Sequence, residues 1–347
     1  MRLRRREIDW GKGILIAAMA LCHVLQFFGR VGEDSVQYWI TFAVNATAFS
    51  AFTFAYGRSI QIAYLEKPFK AVGFKMLRSA LRAYAAFVIS GVGYRVLVEG
   101  KDFSFPVVRQ VATLKAFPGW SEFLISFALY GAAALALFPV WKKLLESKIA
   151  FWIVWALSFA AVLVPYERIG NVRVAMLIGG TQFAFFPILQ YLPYFLMGMY
   201  ISKYGMRKWG LWILGAAALT GAGLARMLIV GEPSRFPPSI WWILLAWLPI
   251  AAAHAALSAL ENRTGEKTAR ALSPIASMGA NSLYYLLASN LTIFAISRIG
   301  ALPLYRKSAP FPFNLKIGST GWALAWTLVM LIAIGFVGRL ARRRVRV

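Results

Sequence analysis

The stretch Gly13-Ile-Leu-Ile-Ala-Ala-Met-Ala-Leu-Cys-His-Val-Leu-Gln-Phe-Phe28 holds no acid, lysine or arginine, and one histidine, His23. With its flanks it is long enough to cross a bilayer as a helix, which takes about 20 apolar residues. It is too long for a signal-peptide core and lacks a small-residue cleavage site, so it is expected to remain as a helix. Working outward, comparable runs occur near 38–63, 79–98, 121–141, 149–165, 183–201, 209–229, 239–260, 273–296 and 319–338. The apolar fraction of 60% and mean hydropathy of +0.63 exclude an ordinary water-soluble domain. The expectation is an all-α polytopic bundle of about ten transmembrane helices, forming one integral-membrane domain over 1–347, with no internal repeat and no soluble domain.

Charge orients the bundle. Alternate connections carry Arg2, Arg4, Arg5 and Arg6; Lys67, Lys70, Lys75, Arg78 and Arg82; Lys142, Lys143 and Lys148; Lys203, Arg207 and Lys208; Arg263, Lys267 and Arg270; and Arg339, Arg342, Arg343, Arg344 and Arg346. These are 23 of the 38 basic residues. The positive-inside rule then puts both termini in the cytoplasm of a plasma-membrane protein and requires an even number of spans. The net charge of +25 is read as topology signal and lipid head-group contact, not as nucleic-acid binding. One cysteine, Cys22, excludes an internal disulfide, and two histidines offer no metal-ligand spacing, so no metal is expected.

Lys12 and His23 lie three helical turns apart, about 16 Å of rise. That puts a cation at one membrane face and an imidazole deep inside, where ionisable groups are costly and usually functional. Lys12 either holds the anionic end of a long donor or snorkels to the head groups. His23 is either a neutral histidine bonded to a neighbouring helix or a general base that takes a proton from a hydroxyl. Asp9 suits the N-cap of the first helix, with Glu7 beside it. Depth along the spans puts Asn45 and Asn290 level with His23. They form either a layer binding an acceptor or oxyanion, or interhelical glue.

Arg58 lies inside the second apolar run, and Lys75, Arg78 and Arg82 share a helical face. With Lys12 they would make an inner basic funnel suited to a phosphorylated cofactor. At the outer mouth, Arg95, Glu122, Tyr94 and Trp120 suit a sugar-like acceptor. His254 reads as structural. Cys22 as an acyl-thiol is disfavoured, because adjacent helical residues point about 100° apart.

Lys12-x10-His23, the stretch ending Tyr56-Gly57, Leu77-Arg78…Arg82-Ala-Tyr84, Leu192-Pro-Tyr-Phe-Leu-Met-Gly-Met-Tyr200 and Gly279-Ala-Asn-Ser-Leu-Tyr-Tyr-Leu-Leu287 occur in an order that resembles the bacterial membrane-bound acyltransferase family three. The resemblance spans most of the chain and implies ten spans. It also implies transfer of an acyl group from cytoplasmic acyl-coenzyme A to a hydroxyl of an extracytoplasmic glycan or related acceptor. His23 would be the base, Lys12 its inner basic partner, and Arg78 and Arg82 would face the coenzyme's phosphates. The chain departs from the family's pattern in four places: Lys12 stands for the usual arginine, the paired arginines are one residue further apart, a late intramembrane glutamate is missing, and Asn290 stands near where many members carry a histidine. The alternative is a multi-pass transporter or flippase of a glycan-like or anionic substrate using the same polar layer. Nothing in the sequence specifies an oligomeric state.

Overall fold

In the computed structural model, residues 5–29, 35–181, 185–206, 209–300 and 319–344 are described. Arg2, Arg4, Arg207, Lys208, Arg346 and the proline-rich segment 301–318 lie outside the described residues. In chain order the helices are α1 (Arg6–Phe28), α2 (Val36–Ile60), α3 (Phe69–Leu97), α4 (Phe105–Ala112), α5 (Glu122–Ala136), α6 (Phe138–Leu144), α7 (Lys148–Ser158) and α8 (Val172–Ile178). They continue with α9 (Leu192–Tyr204), α10 (Trp209–Val230), α11 (Ile240–Leu244), α12 (Trp247–Arg263), α13 (Glu266–Ala271), α14 (Ser273–Ala280), α15 (Ser282–Gly300) and α16 (Thr320–Arg344). Among the described residues there is no strand, and the one isolated bridge pairs Arg235 with Pro238.

Among the described residues, four helices are long and apolar enough to cross a membrane: Arg6–Phe28, Trp209–Val230, Ile240–Arg263 (α11 with α12) and Thr320–Ala341. A fifth is gained if α5 and α6 count as one span bent by 79°. The bend follows from sequence: Leu137 breaks the run, and Pro139, which has no N–H to donate, sits in the first turn of α6. α10 and α16 turn apolar side chains outward, among them Leu214, Leu228, Ile229, Trp322, Ile332 and Phe336. An apolar exterior of this extent suits a lipid surface, not water.

Three expectations change in detail. In the run near 183–201 the described residues from 185 on become helical only at Leu192. Residues 185–191 take an irregular path through the interior, as Pro187 and Pro193 require. Its carbonyls are satisfied from α5: the Tyr130 hydroxyl donates to Ile188 O (2.6 Å) and the Ser126 hydroxyl to Phe186 O (2.7 Å). Irregular backbone at membrane depth is tolerated where protein satisfies it in this way. The run near 273–296 is split between α14 and α15. Asp9 is not the N-cap of α1; Arg5 holds that position, and Asp9 is buried inside the helix, 3.5 Å from Lys12 Nζ.

α1 is the centre of the bundle and packs on α2, α12, α14, α15 and α16. Glycines set its closest crossing. A Cβ on Gly279 of α14 would collide with the Asp9 carbonyl, and one on Gly13 with the Ile275 carbonyl. The α2–α9 crossing is built the same way, with Gly57 against Phe195 and Gly198 against Phe54. Small residues let membrane helices gain dispersion contact at short range. The result fixes α1 against α14 and α2 against α9, and α1 and α2 together carry half of the residues that line the candidate site.

Candidate active site

A cavity of about 300 Å³ opens where α1, α2 and the start of α5 meet the 231–239 connection. Its polar lining comes from His23 and Gln26 of α1, Asn45 of α2, Glu122 of α5 and Arg235. Phe49, Phe52, Trp120, Phe123, Phe127 and Phe186 supply most of its apolar wall. Mostly aromatic walls with a few placed polar groups are what small-molecule sites share.

His23 is held from behind. Its Nδ1 lies 3.0 Å from Asn290 Oδ1. The Asn290 amide nitrogen donates to Trp120 O (2.9 Å) and Ser90 Oγ (3.4 Å), and Ser90 in turn bonds the Ser121 hydroxyl at 2.8 Å. Both acceptors face the nitrogen of Asn290, so its oxygen must face His23. The imidazole therefore carries its proton on Nδ1 and keeps the lone pair on Nε2. Nε2 has no hydrogen-bond partner among the described residues. A buried amide thus fixes both ring orientation and tautomer, as second-layer partners of reactive histidines do.

Trp120 is the keystone of that support. Its backbone is in the left-handed region, φ +57°, which a bulky residue rarely adopts. That conformation accompanies the carbonyl bonded to Asn290 and an indole whose N–H donates to Gln26 Oε1 at 3.0 Å. Strain of this kind concentrates at functional sites.

Arg235 faces the same cavity from the connection before α11. One Nη donates to Asn45 Oδ1 at 2.9 Å, and Cys22 Sγ lies 3.5 Å from the same oxygen. The guanidinium carbon is 4.4 Å from the Phe236 ring centre and 5.8 Å from that of Trp242, so aromatic faces hold it in place. Burial works against its charge, but an arginine stays protonated in a protein. The cavity has a fixed cation.

The structure brings His23, Asn45, Asn290 and Glu122 together at one site, with Asn290 behind the histidine instead of on the cavity wall. It puts the other candidates elsewhere. Arg95 is bonded by Gln110 (2.6 Å) and Glu99 (3.3 Å) and does not line this cavity. Lys12 lines a second cavity of about 230 Å³ with Tyr56, Ser59, Tyr64, Ser79 and Ser282. Lys75, Arg78 and Arg82 are exposed on α3, whose Ser79 and Ala83 face that second cavity. Arg58 does not join them. It is 3% exposed and paired with Glu7, which also accepts from the Ser258 hydroxyl. His254 Nδ1 is 3.1 Å from Arg58 Nη1. The inner basic funnel is therefore without Arg58, whose charge is met by a carboxylate 51 residues away in sequence.

Arg235 is the site residue that sequence reasoning missed. Its signal was a lone cation in Gly231-Glu-Pro-Ser-Arg-Phe-Pro-Pro238, which reads as an ordinary loop until folding turns it inward.

Among the described residues no group of three His, Cys, Asp or Glu stands together as a metal site. No protein-family model, curated protein or solved structure matches the chain, so its function is read from the geometry of this site alone.

Proposed function

We propose that the chain is a plasma-membrane O-acyltransferase that moves an acyl group, acetyl in the simplest case, from cytoplasmic acyl-coenzyme A to a hydroxyl of an extracytoplasmic glycan or similar acceptor. The observation that carries this reading is His23, with Nδ1 fixed by Asn290 and Nε2 unpartnered, on a cavity that shares two walls with a second one. Phe52 and Phe127 line both the His23 cavity and the Lys12 cavity, with ring centres 6.2 Å apart. Along α1 this partition stands between Lys12 and His23. A donor whose anionic end rests near Lys12, Arg78 and Arg82 would pass its thioester through it.

His23 Nε2 accepts the acceptor's hydroxyl proton as the oxygen attacks the thioester carbonyl. The C–S bond breaks, and the thiolate leaves as coenzyme A, taking the proton back from the imidazolium. Ester and free thiol are the only products, and no covalent enzyme intermediate is needed. Arg235 and Asn45 lie where a developing oxyanion or an acceptor group would be met. In this reading ten spans, with bent or interrupted segments among them, place both termini in the cytoplasm. A C-terminal reporter active only in the cytoplasm checks the orientation, and an inactive, folded fusion overturns it.

The direct test is release of thiol from acetyl-coenzyme A by purified protein in detergent, with and without cell-wall saccharides, in wild type and His23→Gln. Acceptor-stimulated, His23-dependent release supports transfer. The aromatic partition also suits a transporter, in which it would act as a gate. Uptake of saccharide into vesicles without thiol release would favour that reading.

The partition makes a second prediction. Phe127→Ala removes a phenyl ring from the passage and so widens the opening between the cavities. The expected result is a shift of preference toward longer donors, read as relative kcat/KM for acetyl-, butyryl- and hexanoyl-coenzyme A. A methylene in an apolar pocket is worth about tenfold or more in discrimination. An unchanged chain-length profile would place the thioester outside this passage.

A further inference from the structure

Arg235 is a cation held in an aromatic cavity with little to neutralise it. Among the described residues no carboxylate lies within 4.0 Å of its guanidinium. Glu232, three residues away, is engaged by the Tyr38 hydroxyl at 2.6 Å. Glu122 shares the cavity wall but makes no ion pair with it. Among the described residues, the one side-chain hydrogen bond of Arg235 goes to Asn45 through a single Nη. A guanidinium has five N–H donors in a planar fork that matches a carboxylate or phosphate with two parallel bonds. Stacking on Phe236 and Trp242 fixes that fork instead of letting it swing to solvent.

Arg235 is half-buried, and a cation held against aromatic rings with no carboxylate in contact gains when an opposite charge arrives. The cavity that Arg235 faces is the one that His23 faces. Whatever hydroxyl reaches His23 therefore belongs to a molecule whose other groups meet Arg235.

From this we infer that the acceptor is anionic, a sugar or polyol carrying a carboxylate or phosphate that Arg235 grips while one of its hydroxyls is presented to His23. The inference rests on the acyl-transfer reading for the hydroxyl's fate, but not for the anion site itself. Asn45 positions the fork by taking one Nη. The aromatic walls, Trp120 and Phe49 among them, cover the faces of the sugar ring.

The test pairs acids with neutral counterparts: galacturonate against galactose, and glycerol 1-phosphate against glycerol. Two readouts are taken on purified full-length protein in detergent. One is kcat/KM for acceptor-dependent thiol release from acetyl-coenzyme A. The other is acceptor affinity by calorimetry without donor. Wild type is expected to favour at least one acid over its neutral partner by roughly tenfold to a hundredfold, as a charge-assisted hydrogen-bond pair provides. Which acid wins distinguishes carboxylate from phosphate. Arg235→Gln is expected to lower that ratio at least tenfold. Arg235→Lys keeps the charge without the fork and should fall between, which covers the case in which the glutamine variant does not fold.

Equal use and equal binding of acids and neutral compounds by wild type would overturn the inference. So would a ratio unmoved by Arg235→Gln. If no acceptor stimulates thiol release but binding still shows Arg235-dependent preference for the acid, the anion site stands and the transferase reading falls.

Discussion

Replacing His23 by glutamine is expected to lower acyl transfer about 10²- to 10⁴-fold, the range a positioned general base contributes. Glutamine keeps similar size and can still bond Asn290, so the bundle should hold together. What it cannot do is accept a proton at the position of Nε2. A hydroxyl attacking a thioester must shed its proton as the C–O bond forms, and no other described base lines this cavity except Glu122. The matched control is Asn290→Leu. It leaves the imidazole in place but frees its tautomer and rotation, for the loss of three buried hydrogen bonds, to His23, Trp120 O and Ser90, at about 1 kcal/mol each. The expected result is a fall of about tenfold in kcat with acceptor KM little changed, because Asn290 supports His23 and is not on the cavity wall. Size-exclusion profiles and near-UV circular dichroism confirm folding in each variant. A folded His23→Gln protein that turns over at the wild-type rate would remove the histidine from the chemistry.

That test draws on the part of the site the sequence made legible. Counting rise per residue along two apolar runs put His23 and Asn45 at one depth, and did the same for Asn290. The fold brings all three to one place. Depth is a one-dimensional quantity that a helix converts directly from residue number. What depth does not give is direction. Asn290 lies behind His23 because its amide nitrogen is bound by Trp120 and Ser90, contacts set by the packing of α3 and α15. Arg235 was illegible for a related reason: a loop has no period, and it is the bond to Asn45 and the place over the Trp242 ring, both made by the fold, that show it turning inward. The break in the run near 183–201 was written in Pro187 and Pro193, but a hydropathy reading smooths over prolines flanked by Phe, Ile and Leu.

Arg58 is the clearest case of a charge whose meaning depends on a distant partner, and it carries the largest expected change in stability. Its side chain is 4% exposed and that of Glu7 is 5% exposed. Removing one member of such a pair leaves the other charge buried, which typically costs about 3–5 kcal/mol. Arg58→Met is therefore expected to destabilise the protein by about that much, and Glu7→Leu to do so as well. The double variant should regain most of the loss, because an apolar replacement of a whole buried pair is often close to neutral. Thermal unfolding of the four proteins in one detergent gives the coupling directly, and it should exceed about 1 kcal/mol. His254 belongs to the same unit. Its Nδ1 faces the Arg58 guanidinium at 3.1 Å, so it must be the acceptor there, with the proton on Nε2. The cycle also decides between two roles for Arg58. If it binds a donor phosphate, Arg58→Met weakens coenzyme A binding and leaves unfolding near that of wild type. If it locks α1 to α2 and α12 through Glu7 and His254, stability falls and the affinity of the surviving folded protein for coenzyme A is unchanged. The geometry favours the lock, because the carboxylate already fills the position that a phosphate would take.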